Sequence, residues 1–292
     1  MAKKKSAHAS ASDHDHSHDD DHDHGHDCGC RYEDFDALSV SGLRFQRGDK
    51  VILDDITWTV KNGQHWVVLG PNGCGKTSLI KLITGYEMGT AGEIVVGDAH
   101  YGSSDWREVR KRVGLVTTAL TYYIESGEPV LDAVVSGREA MLNLVGEVSR
   151  DQRKEARALL EAIGCGYLAD SRWGVLSQGE RQKILICRAM MARFDVMILD
   201  EPCAGLDPVA REHFLQWLHA LAVSEHAPSL VLVTHHVEEI LPSFSHVLLL
   251  KDGKVFASGT KAQTLTSENL SNAYGAKLKL EKDRGRYLLR VM

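Results

Sequence analysis

The chain has 292 residues, 43% hydrophobic and 25% charged, with a formal net charge of −6. That length can bury a substantial core, and the composition is ordinary for a globular protein. The negative balance argues against a nucleic-acid binder, and no stretch approaches the roughly 18 uninterrupted apolar residues of a membrane-spanning helix.

Residues 1–36 are expected to form a disordered tail rich in histidine and aspartate. Positions 1–30 hold seven of the fifteen histidines, and three lysines against seven aspartates give them −4 of the total −6. His14, His16, His18, His22, His24, His26, Cys28 and Cys30 offer imidazole and thiolate among carboxylates. Such a set suits Zn²⁺, Ni²⁺ or Co²⁺, so the tail is a candidate metal buffer. The bland alternatives are a solubilising tail or a cloning remnant. The tail lacks an apolar h-region, so no export signal is expected and the six cysteines read as reduced thiols.

Along the body, Leu38-Ser39-Val40, Leu43-Arg44-Phe45 and Val51-Ile52-Leu53 suggest short strands, with a turn at Gly48-Asp49. Ile56 to Val60 alternates as a strand, and Lys61-Asn62-Gly63 carries a hairpin signal. His65 to Leu69 reads as a buried strand, Ser78 to Thr84 as a helix stopped by Gly85, and Glu93 to Gly97 and Arg112 to Val116 as strands. Between about 120 and 175 the pattern turns helical. Pro129 to Val145 has helical spacing, and Ser149 with Gln152 opens a second helix as a capping box. A helix through Ile184 to Met191 follows, then a strand at Val196 to Leu199. Asp207 caps a helix with Pro208 first, Leu230 to Thr234 is a buried strand, and Asp252-Gly253 joins a hairpin. Strands alternating with helices give an α/β body over 37–265 with a mainly parallel sheet, followed at 266–292 by a short helix and a hairpin.

Two stretches carry chemistry. Gly70-Pro71-Asn72-Gly73-Cys74-Gly75-Lys76-Thr77 spells G-x-x-x-x-G-K-T between a strand and a helix. Glycines let backbone N–H groups wrap a polyphosphate, and the helix start adds its dipole. Lys76 would reach the outer phosphates, Thr77 would ligate Mg²⁺, and Ser78 extends the loop. Cys74, near Lys76 at a helix start, is expected to have a lowered thiol pKa and to be reactive. The second stretch is the apolar strand ending in Asp200-Glu201. Asp200 would hold Mg²⁺, and Glu201 would orient and deprotonate water.

Leu176-Ser177-Gln178-Gly179-Glu180 resembles the ATP-binding cassette (ABC) signature, Ala204-Gly205-Leu206-Asp207 its D-loop, and His235 its switch histidine. These motifs, in family order over residues 38 to about 260, make the chain look like the nucleotide-binding subunit of an ABC transporter. The resemblance implies a P-loop NTPase cassette with an N-terminal antiparallel β subdomain and a helical subdomain inserted at about 120–175. It also implies an ATPase that forms a homodimer around two MgATP, with Ser177 and Gly179 facing the γ-phosphate held by Lys76 of the other copy. His235 would hold the water–Glu201 arrangement. A separate transmembrane permease would be the partner, placing the chain in the cytoplasm at the inner face of the membrane. The runner-up is a soluble, non-transport ABC ATPase of translation or repair; a metal-buffering protein with a regulatory cassette rests on the tail alone. Two positions depart from the pattern. Thr117-Thr118 stands where a glutamine is expected, which together with Trp106-Arg107 resembles the ModF-like molybdenum-transport branch. Near the expected adenine-stacking aromatic the chain has Arg47, with Phe45 as the alternative.

Overall fold

The computed structural model describes residues 36–292, apart from positions 141, 142, 145, 193 and 226 and the side chains of residues 106–108. The tail ligands from His14 to Cys30 and the side chains of Trp106-Arg107 therefore lie outside the described residues.

The chain opens with β1 (Asp36–Arg47) and β2 (Lys50–Lys61), two long antiparallel strands rather than the separate short ones expected. Leu38 and Val40 alternate inward, Ser41-Gly42 breaks the alternation, and Leu43 and Phe45 point inward again. Gly42, at φ 57°, forms the bulge that keeps this buried face continuous. Nor does Lys61-Asn62-Gly63 close a hairpin: that turn carries the chain into β3 (Trp66–Leu69) of a second sheet. After β3 come α1 (Lys76–Ile83), β4 (Ala91–Val96), β5 (Ala99–His100), α2 (Trp106–Lys111) and β6 (Val113–Thr117). The first sheet is antiparallel, in the order β2-β1-β4-β5.

The helical part starts with α3 (Val130–Val135), which tightens into a 3₁₀ turn (Ser136–Glu139) and ends at Ala140 in the left-handed region. The long helix expected over Pro129–Val145 thus stops early. Gly137 lies so close to the helix carrying Arg188 that an added Cβ would come within 1.8 Å of the Arg188 carbonyl, so the backbone turns there to dock. Next is α4 (Arg150–Ala162), with the Ser149/Gln152 capping box formed as expected. Then α5 (Gln178–Met190), β7 (Val196–Asp200), α6 (Pro208–Ala222), β8 (Ser229–Val233), β9 (His246–Lys251) and β10 (Lys254–Thr260) complete the α/β body. The chain ends with α7 (Lys261–Thr264), α8 (Ser267–Tyr274) and the hairpin β11 (Leu278–Asp283)–β12 (Arg286–Val291).

The second sheet runs β10-β9-β3-β8-β7-β6, parallel except at the β10 edge. Its central strands β3, β7 and β8 are almost wholly apolar and buried because both faces are covered. Val67, Leu69, Met197, Leu199, Leu230 and Leu232 pack with the helical elements in one core. Val68, Val196, Ile198, Val231 and Val233 pack with α1 and the antiparallel sheet in the other.

His65, just before β3, ties elements together across the base of this sheet. Its Nε2 bonds the Ala222 carbonyl at 2.9 Å and its Nδ1 accepts from the Leu230 N–H at 3.2 Å. Both nitrogens are satisfied only in the neutral ring, and burial holds the pKa below its ordinary value. The folded chain therefore binds fewer protons here than the unfolded chain. This contribution is present above about pH 6.5 and is lost as pH falls below the unfolded value. The expected outcome is that His65→Gln lowers Tm more at pH 7.5 than at pH 5.5. Calorimetry at the two pH values measures it; a gap that widened on acidification would contradict the assignment.

Candidate nucleotide-binding and catalytic site

Ligands of open parallel sheets gather at the carboxyl ends of the strands. Here β3, β8, β7 and β6 are successive neighbours, and their C-terminal ends carry Gly70, Thr234-His235, Asp200-Glu201 and Thr117. The segments singled out in the sequence thus converge on one edge.

The phosphate loop is built by close packing. At Gly70 an added Cβ would meet the Leu250 carbonyl at 2.4 Å and Cys74 Sγ at 2.7 Å; at Gly75, with φ 108°, it would meet Leu53 Cδ2 at 2.5 Å. Gly75 is also the N-cap of α1, so the first-turn N–H groups open toward the loop. Lys76 is buried and its Nζ donates to the carbonyls of Gly70 at 2.8 Å and Pro71 at 3.1 Å. That places the ammonium inside the loop formed by Gly70, Pro71, Asn72, Gly73, Cys74 and Gly75. Thr77 is exposed at the helix start and Ser78 half-buried behind it.

Cys74 differs from the sequence expectation. It is only 3% exposed, and burial raises its thiol pKa against the smaller downward pulls of Lys76 and the loop N–H groups. Desolvation outweighs the helix-start effect, so this is a packed thiol rather than a reactive one.

Asp200 ends β7 opposite Val233 of β8. Burial and the adjacent Glu201 push its carboxyl up to about 6, while Lys76 and a hydrogen bond from Thr117 pull it down. Thr117, rather than Thr118, therefore faces the carboxylate; Thr118 opens a 3₁₀ turn and its carbonyl accepts from the Thr121 hydroxyl. Glu201 has φ 48°, a left-handed conformation that non-glycine residues rarely adopt, and its N–H donates to the Val233 carbonyl at 2.9 Å. This turn out of the strand directs the carboxylate toward β8, where His235 Nδ1 donates to Oε1 at 3.0 Å. Behind this pair, the Thr234 hydroxyl donates to the buried Glu239 carboxylate at 2.6 Å and accepts from the His236 N–H at 3.0 Å. The sequence reading passed over Glu239: a glutamate in an acidic run gives no sign that it will be buried.

The signature segment splits into two kinds of residue. Leu176 is buried in the core, and Ser177 and Glu180 form a reciprocal capping box at the start of α5. Gln178 Nε2 donates to the Ala204 carbonyl at 2.7 Å, fastening the signature to the loop after Glu201, and Asp207 caps α6 through the N–H groups of Val209 and Ala210. Gly179 lies in the first turn of α5, where an added Cβ would stand 3.8 Å from both Ala210 Cβ and Leu206 Cδ2. The Phe45 ring is 5% exposed, too buried to offer a base a stacking face. Arg47 is exposed, pairs with Glu87 at 2.6 Å and stands 5.8 Å from the centre of the Phe45 ring.

A close-packed glycine loop holding a buried lysine, an acidic strand end and a histidine against its glutamate on one sheet edge are the arrangement of a P-loop nucleoside-triphosphate hydrolase cassette. The profile of the ABC transporter family matches residues 53–204. A Bacillus subtilis protein described as an uncharacterized ABC transporter ATP-binding protein, YlmA, is 41% identical over 235 residues, spanning 80% of this chain and 89% of its own length. An ABC transporter of the metal-chelate type, solved in an inward-facing conformation, superposes with a TM-score of 0.72 at 26% identity, covering 88% of this chain and 97% of that one. The Escherichia coli ATP-binding protein ModF is more distant, 31% identical over 71% of this chain and 43% of its own length. The chain belongs to the ABC transporter ATP-binding proteins: it is an ATP-hydrolysing nucleotide-binding subunit. The ModF-like placement is not retained, because the likeness there is weaker than to YlmA.

With the native enzyme, maleimide is expected to leave Cys74 unmodified, with or without ATP, and to label it only after denaturation. Peptide mapping by mass spectrometry reads this directly; rapid labelling of folded protein that ATP suppresses would restore the reactive-thiol reading.

Proposed function

We propose that Glu201 and His235 form the catalytic pair of this ATPase. The observation that carries the reading is their 3.0 Å contact at the ends of adjacent strands, one strand away from the loop holding Lys76. Glu201 accepts a proton from the attacking water, and His235 holds the Glu201 carboxylate and contacts the γ-phosphate. Lys76 and the N–H groups of Gly73, Gly75, Thr77 and Ser78 bind the phosphates electrostatically. Arg47, at the exposed end of β1, is the candidate for stacking on the base.

Proteins of this family use ATP with Mg²⁺. The donors present here suit that hard cation: the Thr77 hydroxyl, the Asp200 carboxylate and, behind it, the Thr117 hydroxyl are all oxygens. Mg²⁺ would supply neutralisation of the charge that develops on the phosphates. Burial and the neighbouring Glu201 disfavour the charged form of Asp200.

Cassettes of this family dimerise and work with membrane permeases. The capped start of α5 supports a homodimer here, with Ser177 and Gly179 of one copy presented to the phosphates held by Lys76 of the other. No helix of the described residues is long and apolar enough to cross a membrane, so the permease reading places the transmembrane path in another chain, with this one docked at the inner face. The tail ligands from His14 to Cys30 are proposed to bind Zn²⁺, Ni²⁺ or Co²⁺ independently of catalysis.

Glu201→Gln is expected to lower kcat by about 10²–10⁴-fold while ATP affinity stays within about threefold, and His235→Ala to fall in the same range. Steady-state phosphate release and nucleotide titration check both. The same Glu201→Gln chain, captured from gently extracted membranes with MgATP, should carry a stoichiometric integral membrane protein. Recovery of ribosomes or DNA instead would favour the non-transport reading. Zn²⁺ titration of the full chain against one starting at Tyr32 tests the tail; equal binding would dismiss it.

A further inference from the structure

The C-terminal hairpin belongs to no motif singled out in the sequence, yet it touches the segment that follows the switch histidine. Its strands pack Leu278, Leu280, Tyr287 and Leu289 against the main core. The start of β12 places Arg286 beside the 3₁₀ turn Val237–Glu239. Its guanidinium donates to the Glu238 carbonyl through Nε at 3.2 Å and through a terminal nitrogen at 2.7 Å. The other terminal nitrogen donates to the Glu212 carboxylate of α6 at 3.2 Å. Arg286 thus bridges α6 and the turn with its fixed fork of donors, a job one ammonium could do only in part.

That turn holds His235 from both sides. Its Glu239 carboxylate accepts from the Thr234 hydroxyl just before the histidine, and the Glu239 N–H donates to the His236 carbonyl just after it at 3.2 Å. A shift of the turn would move all three residues and change the 3.0 Å approach of His235 to Glu201. We propose that Arg286 is a positioning residue for the ATPase reaction: through Glu238 and Glu239 it sets the place of His235, so these Arg286 contacts, rather than the packing of the C-terminal hairpin as a whole, govern the rate of the chemical step. This rests on the assignment of Glu201 and His235 as the catalytic pair.

The test compares Arg286→Met, Arg286→Lys and Leu280→Ala in the full chain, with Glu201→Gln as reference, measuring kcat, KM for MgATP and Tm. Methionine keeps an apolar stem without donors, and Leu280→Ala loosens the hairpin without touching the turn. The expected result is about a tenfold lower kcat in Arg286→Met with KM within about twofold, and recovery of part of that loss in Arg286→Lys. At the same fall in Tm, Leu280→Ala should keep a higher kcat than Arg286→Met. Unchanged kcat in Arg286→Met overturns the inference. So does an equal kcat loss in Leu280→Ala, or a lysine variant no better than methionine, since each would make the hairpin's effect one of general stability. Full turnover in Glu201→Gln would instead sink the catalytic assignment, and this inference with it.

Discussion

The pairing of β7 with β8 is the constraint on which the site depends. Because Asp200 lies opposite Val233, the residues that leave the two strands emerge side by side. The Glu201 N–H then donates to the Val233 carbonyl, continuing the ladder by one bond while the chain already turns away. That single bond holds a glutamate in a backbone region costing on the order of 1–2 kcal/mol, and the return is a carboxylate aimed across the sheet at His235. Shift the register by one residue and Glu201 would face the core while His235 lost its partner.

The sheet's apolar strands make that register hard to shift. β7 and β8 bury alternating residues in two different cores, so a slip would exchange both sets at once. Strand runs such as Val196–Leu199 and Leu230–Val233 were legible in the sequence for this reason: a strand covered on both faces has nothing polar in it. The phosphate loop was legible for another reason. Its glycines answer to steric contacts with Leu250 and Leu53, so local sequence and local geometry determine each other there.

What sequence could not show depends on neighbours distant along the chain. Cys74 has the local surroundings of an activated thiol, but the packing around it decides the outcome by removing water. The stop after Val135 comes from the close approach of Gly137 to Arg188, fifty-odd residues away. Residues 61–63 carry the composition of a hairpin turn, yet the next strand finds better partners in β8 and β9 than in β2. The signature was read as a surface for another subunit; Gln178 and Glu180 also serve the fold, bonding Ala204 and capping α5. A short motif can name a chemistry without revealing how many of its letters hold the scaffold.

The charge layout shows why these supports matter. Asp200 and Glu201 are adjacent carboxylates at a site built for a polyanion, and Glu201 raises the cost of keeping Asp200 ionised. Lys76 offsets part of that cost at Asp200, and the Thr117 hydroxyl adds a neutral donor. Glu201 has His235 instead. The two acids are thereby given different partners, Thr117 and Lys76 for Asp200 and His235 for Glu201; in the proposed mechanism the first serves a cation with the phosphates and the second a proton from water. A left-handed turn of one residue separates these roles, and the polar contacts behind His235 keep that separation from relaxing.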